Sequence, residues 1–287
     1  MDVLSVSNLS KSFGSIEVLK DLNFSLKQGE VFGFLGPNGA GKTTTINCLM
    51  GFIYPNQGTV KIFSKDIKDN IIDIKKDISY GSSSTILNVN WSLSDHIKFI
   101  YNFKKASEYD THIIKTFDIP MHQKIKTLSF GNIQKASLVI SLICDPKLVI
   151  LDEPSRGLDP LYQDIFHKLI LDMKKRGTTI FLSSHDLKEV GEICTRIGII
   201  KEGKIIKIED VDEIKGKNIS SVLIKFKGTY NIQDFKDFKI ESNDDNSINL
   251  KVKKDMNNLI KIISRYDVEN ISVTPLSLED IFLEFYK

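Results

Sequence analysis

A continuous apolar run, Val31-Phe32-Gly33-Phe34-Leu35, leads directly into Gly36-Pro37-Asn38-Gly39-Ala40-Gly41-Lys42-Thr43. The octapeptide fits G-x-x-x-x-G-K-[ST], and Thr43 to Met50 reads as a helix. A strand with no polar face must be covered on both sides, as in a parallel sheet flanked by helices. Glycines between such a strand and a helix let backbone N–H groups turn inward, and the positive helix end adds to their attraction for phosphate. The chain is thereby constrained to an α/β fold with a nucleotide site at the carboxyl edge of its sheet. In this cradle, Gly36 through Thr44, Lys42 is expected to reach the β- and γ-phosphates of ATP, and Thr43 to offer its hydroxyl to Mg²⁺.

Leu148-Val149-Ile150-Leu151 repeats the buried-strand pattern and ends in Asp152-Glu153. Acids at the end of such a strand emerge beside the phosphate loop. Asp152 is expected to hold Mg²⁺, directly or through water, and Glu153 to polarise an attacking water. Thr179-Ile180-Phe181-Leu182 is a third strand of this type. Strands alternating with helices predict a P-loop NTPase core with a mostly parallel sheet. From about 86 to 145 the spacing of Leu93, Ile97, Ile100 and Tyr101 predicts a helical subdomain inserted into that core.

After Asp210 the composition shifts toward Lys, Asn and Asp. Strands over Val222–Phe226 and Ile248–Val252, a helix over Met256–Tyr266, a strand over Ile271–Val273 and a helix from Ser277 are expected there. The division is therefore an ATP-binding domain over 1–210 and a small α/β accessory domain over 211–287.

With 39 Lys and Arg against 37 Asp and Glu, the net charge is +2, without the basic excess of a general nucleic-acid binder. Cys48, Cys144 and Cys194 form no Cys-x-x-Cys pair, so reduced thiols of a cytosolic protein are expected rather than zinc or disulfides. The N-terminus lacks the pattern of a signal peptide. The apolar run Ala136 to Cys144 is far shorter than the ~20 residues that span a bilayer, so the chain is not expected to cross a membrane by itself.

Further motifs carry a family resemblance. Leu128-Ser129-Phe130-Gly131-Asn132 resembles the Leu-Ser-Gly-Gly-Gln signature of the ABC ATPases. Gly157-Leu158-Asp159-Pro160 resembles their D-loop, Ser183-Ser184-His185-Asp186 their switch histidine, and Lys11-Ser12-Phe13-Gly14 the segment whose ring stacks on adenine. The resemblance implies two ATP-binding subunits, a homodimer or a pair of paralogues, closing on ATP. Ser129 and Gly131 of one would cap the γ-phosphate bound by the other. It also implies that His185 contacts the γ-phosphate and that Phe13 stacks on adenine.

Three departures stand out: Phe130 replaces a signature glycine, Asn132 replaces Gln, and Tyr80-Gly81-Ser82-Ser83 lacks the Q-loop glutamine. The resemblance further implies a separate integral membrane permease, with this chain held at the cytoplasmic face of the membrane. The docking segment is expected between Tyr80 and Trp91, where Ile86, Leu87, Val89 and Trp91 form either an exposed apolar run or subdomain core. Ser155-Arg156-Gly157-Leu158-Asp159-Pro160 and the ending Pro275 to Phe282 resemble bacterial efflux ATPases, implying export of antibiotics, amphipathic peptides or lipids. The other class open to the family is a soluble ATPase acting on ribosomes or DNA.

Overall fold

The computed structural model describes residues 2–82, 87–104, 110–215, 219–253 and 256–275. It divides into two compact units, Met1–Asp210 and Val211–Lys287. The helix expected from Ser277, the efflux-type ending after Pro275, and Ser83 and Ile86 of the Q-loop region lie outside the described residues.

The first unit opens with a long hairpin, β1 (Asp2–Phe13) and β2 (Ile16–Lys27). The period-two stretches at Val3–Val6 and Leu22–Leu26 are its best-patterned parts, and Leu4, Val6, Leu22, Phe24 and Leu26 are buried as that pattern requires. Then follow β3 (Val31–Leu35), α1 (Lys42–Leu49), β4 (Gln57–Ile62), β5 (Lys65–Asp66), α2 (Ile67–Asp77) and β6 (Ile78–Ser82). The helical insert comprises α3 (Leu93–Lys104), α4 (Thr111–Phe117) and α5 (Phe130–Leu142). The chain then returns through β7 (Leu148–Asp152), α6 (Pro160–Lys175), β8 (Thr179–Ser184), α7 (Leu187–Ile193), β9 (Arg196–Lys201) and β10 (Lys204–Asp210).

Six strands make the central sheet, in the order β10-β9-β3-β8-β7-β6. All pair in parallel except the edge strand β10, which runs antiparallel to β9. Every residue of β3, β7 and β8 is buried, as their unbroken apolar runs predict. A second, antiparallel sheet, β2-β1-β4-β5, packs over it. Phe24 of β2 sits against Phe32, Phe34 and Phe181 of the central sheet, with ring centroids 5.7–6.0 Å apart. This stack joins the two sheets, each ring contributing about 1.5–3 kcal/mol by burial.

The second unit contains α8 (Val211–Lys215), β11 (Ile219–Phe226), β12 (Lys239–Asn243), β13 (Ser247–Lys253), α9 (Met256–Ile263) and β14 (Val268–Pro275). Its strands form one antiparallel sheet, β12-β13-β11-β14, over its own core of Val222, Ile224, Phe226, Ile248 and Leu250 with Leu259 of α9.

Candidate functional site

At the carboxyl end of β3 the chain turns through Gly36–Gly41 into α1. Two glycines here are sterically required. A Cβ on Gly36 would stand 2.6 Å from the Ile200 carbonyl oxygen. Gly41 has φ +111°, and a Cβ there would meet Leu19 at 2.7 Å. Gly41 also occupies the N-cap of α1 without any side-chain cap, so the first-turn N–H groups of the helix are left for a ligand.

The loop borders a cavity of about 380 Å³. Pro37, Asn38, Gly39, Gly41, Lys42, Thr43 and Thr44 line one side of it, and Asp152 and Glu153 the other. Gly36 and Ala40 are buried beneath the loop. Lys42 Nζ donates to the carbonyl oxygens of Gly36 at 2.7 Å and Pro37 at 3.3 Å, and lies 3.7 Å from Glu153 Oε1. Burial pushes the Lys42 pKa below its ordinary value, against the opposing pull of Glu153 and Asp152.

Asp152 ends β7, where Thr43 Oγ1 donates to its Oδ2 at 2.9 Å and Ser183 Oγ to its Oδ1 at 2.5 Å. An all-oxygen pair, one hydroxyl and one carboxylate, suits a hard cation such as Mg²⁺, which takes few protein ligands and keeps its phosphates and waters. No group of three metal-capable His, Cys, Asp or Glu side chains occurs among the described residues, so a closed structural metal cage is not what this donor set offers.

Glu153 adopts φ +48°, a left-handed conformation costing a non-glycine residue about 1–2 kcal/mol. Its N–H holds the turn by donating to the carbonyl and the hydroxyl of Ser183, both at 3.1 Å. That backbone aims the carboxylate among three basic groups: Lys42 at 3.7 Å, Arg156 at 3.3 Å and His185 Nδ1 at 3.3 Å. The loop lysine, the acid pair and the histidine, far apart in sequence, thus meet at one point.

Other expected site residues lie apart from this cavity. Ser129 is the N-cap of α5, its Oγ accepting from Asn132 N at 3.3 Å, and Gly131 sits in the first turn. Neither lines the cavity, and Phe130 between them is 68% exposed. The Phe130 ring lies beside Gly157 of the D-loop-like turn. Phe13 is half exposed near the tip of the β1–β2 hairpin with Lys11 over its ring, and Val18 rather than Phe13 lines the cavity.

The sequence reading missed Val18, Ser82, Arg156 and Ser183. Ser82, Arg156 and Ser183 stood within quoted motifs without a site role, and Ser82 reaches the site by its pairing with Asp152 across β6 and β7. Of the apolar run toward Trp91, Leu87 is buried and Val89 exposed, so it is partly core.

Comparison with known proteins bears on this geometry. The ABC transporter family model matches residues 19–156. An uncharacterised ABC transporter ATP-binding protein of Methanocaldococcus jannaschii is 36% identical over 72% of this chain and 79% of its own length. The bacitracin transport ATP-binding protein of Bacillus licheniformis is 34% identical, covering 75% of this chain and 72% of its own. A solved ATP-binding subunit of an ABC transporter superposes with a TM-score of 0.71 at 27% identity, over 75% of this chain and 92% of that one.

Proposed function

This chain belongs to the ABC transporter ATP-binding proteins and is an ATPase of that family, and from this premise we propose that it powers export of antibiotics, amphipathic peptides or lipids through a separate membrane permease. The observation that carries the reading is the convergence of Lys42, Asp152 and Glu153 on one cavity at the carboxyl edge of the sheet, with His185 Nδ1 3.3 Å from Glu153. The similarity to a bacitracin transport ATP-binding protein supports the cargo class.

In this reading the phosphates of ATP replace the loop carbonyls and Glu153 as partners of Lys42, and the uncapped N–H groups of α1 take the remaining phosphate oxygens. Thr43 and Asp152 would hold Mg²⁺, which supplies charge neutralisation at the terminal phosphates. Glu153 accepts a proton from the attacking water, and His185 orients the reacting phosphate. Ser129 and Gly131 face solvent-side positions from which a second ATP-binding subunit, a copy or a paralogue, would receive them at its own γ-phosphate.

No helix among the described residues is long and apolar enough to cross a membrane. In this reading the permease holds the chain at the cytoplasmic face of the membrane. Its docking surface is read as Val89, Trp91 and the exposed Phe99 and Phe103 of α3, where the Trp91 and Phe99 rings lie 5.4 Å apart. The unit over 211–287 is read as an accessory domain that does not catalyse.

The test is Glu153→Gln, studied alone and with the polytopic membrane protein that co-purifies with the chain. Hydrolysis is expected to fall by ~10²–10⁴-fold. Light scattering should show Mg-ATP driving association. Near-wild-type hydrolysis without ATP-dependent association in either setting rejects the sandwich mechanism, and absence of any co-purifying membrane protein rejects the transport role.

A further inference from the structure

Behind the segment that carries His185 lies a buried set of charges that the nucleotide site does not touch. Glu189 of α7 is 3% exposed. Its Oε2 accepts from Ser184 Oγ at 2.7 Å. Its Oε1 faces His167 Nε2 of α6 at 3.7 Å, and neither atom has a hydrogen-bond partner among the described residues. On the other side of the ring, His167 Nδ1 lies 3.0 Å from Glu192 Oε2. A buried carboxylate is costly unless it is paired and hydrogen-bonded, so this arrangement calls for a compensating cation. Only an imidazolium, with a proton on each nitrogen, can serve both flanking carboxylates at once. The Glu189 carboxylate facing the ring, and Glu192 after it, accordingly raise the His167 pKa above its ordinary value despite burial.

The relay ends on the turn that presents the switch histidine. Ser184 Oγ commits its proton to Glu189, which leaves its lone pairs to accept from Asp186 N at 2.9 Å. The Asp186 carboxylate then caps α7 by accepting from the N–H groups of Lys188 and Glu189 at 2.8 and 3.2 Å. His185 is the residue between these two anchors, and its Nδ1 stands 3.3 Å from Glu153. With both neighbours of His185 held, the turn has little freedom to tilt the imidazole away.

We propose that Glu189 and His167 are positioning residues for His185: through the Ser184 hydroxyl they fix the β8–α7 turn from which His185 reaches the Glu153 side of the nucleotide cavity. The proposal rests on the reading of His185 given above. It makes turnover sensitive to a histidine that contacts neither nucleotide nor metal. The charged groups around His167 are Asp164 of its own helix, Glu189, Glu192 and Lys188 of α7, and Asp186 of the turn, all bordering a cavity of about 210 Å³. Cys194, the residue after α7, is buried, and burial pushes its thiol pKa up.

The experiment measures steady-state hydrolysis and equilibrium ATP binding by the full chain, with its membrane partner where turnover requires it, for Glu189→Gln, His167→Gln, Ser184→Ala and His185→Ala. Small displacements of a reacting group cost up to ~10²-fold, so Glu189→Gln and Ser184→Ala are expected to lower kcat by ~10–100-fold. ATP affinity should stay within about twofold, since a positioning role acts on turnover rather than on ground-state binding. In a His185→Ala background Glu189→Gln should cost nothing further in kcat, which a general loss of packing would not reproduce. Wild-type kcat should decline as pH rises through the raised His167 value, and His167→Gln should flatten that limb.

Wild-type kcat and an unchanged pH profile in Glu189→Gln and His167→Gln, with turnover lost in His185→Ala, overturn the proposal alone. Wild-type turnover in His185→Ala overturns the reading of His185 instead. Should Glu189→Gln fail to fold, Ser184→Ala decides, because it severs the link to the turn and leaves the Glu189–His167 pair intact.

Discussion

Thr43 Oγ1 donates a 2.9 Å hydrogen bond to Asp152 Oδ2 across 109 residues of sequence. With Ser183 on the other carboxylate oxygen, Asp152 is held by one hydroxyl from the phosphate-loop helix and one from the neighbouring strand. Its rotamer is therefore set before any ligand arrives, which lowers the cost of assembling a metal and nucleotide site around it.

Ser183→Ala should expose how much that support matters. The Glu153 N–H keeps the Ser183 carbonyl as a partner, so the turn survives while one oxygen of Asp152 is released. The apparent Mg²⁺ requirement for hydrolysis is expected to rise roughly 10–100-fold. Titrating Mg²⁺ in a steady-state ATPase assay measures it, and an unshifted curve contradicts the assignment.

Gly157 and Phe130 are expected to couple energetically. Gly157 has φ +84°, and a Cβ on it would stand 3.0 Å from Phe130 Cε1. Gly157→Ala should lower stability by about 1–2 kcal/mol from the backbone conformation alone, with the ring contact adding to it. Replacing Phe130 by Gly in that background should return only the steric share. Thermal melts of the four proteins give the coupling, and a value below ~0.5 kcal/mol means the ring yields freely.

Stability should depend on pH through His167. Its folded pKa is raised, so its contribution is complete below the unfolded value of about 6.5 and is lost as pH rises through the folded one. Urea denaturation should show the gap between wild type and His167→Gln widest near pH 6 and narrowing toward pH 9. A gap that does not change with pH argues against an imidazolium between Glu189 and Glu192.

A chain ending at Asp210 should fold and bind ATP. Every cavity-lining residue, from Val18 to Arg156, belongs to the first unit. Circular dichroism establishes folding and calorimetry the affinity, which is expected within about twofold of the full chain. A folded fragment that no longer binds ATP would show that the second unit supports the site.

The central strands and the acid pair were legible because burial on both faces leaves an unbroken apolar run, and such a run ends where the fold places its ligands. Lys42, Thr43, Asp152 and Glu153 sit at those ends. The places of Ser82 and Val18 in the cavity lining were not legible. One reaches the cavity through strand order and the other from a separate antiparallel sheet, and neither relation leaves a local pattern. Leu87 and Val89 make the same point in the insert: two aliphatic residues two positions apart, one buried and one exposed. The signature-like Ser129 shows a different limit. Within one chain it behaves as a helix cap, and any role across an interface depends on a surface that a single chain does not bury.

The left-handed backbone at Glu153 sets stability and chemistry against each other at a single position. Glycine there would relieve about 1–2 kcal/mol of backbone strain while deleting the carboxylate and its ion pairs. On the proposed reading of Glu153 as the base, the turn retains its strain because its relief would leave a chain that holds ATP and no longer spends it.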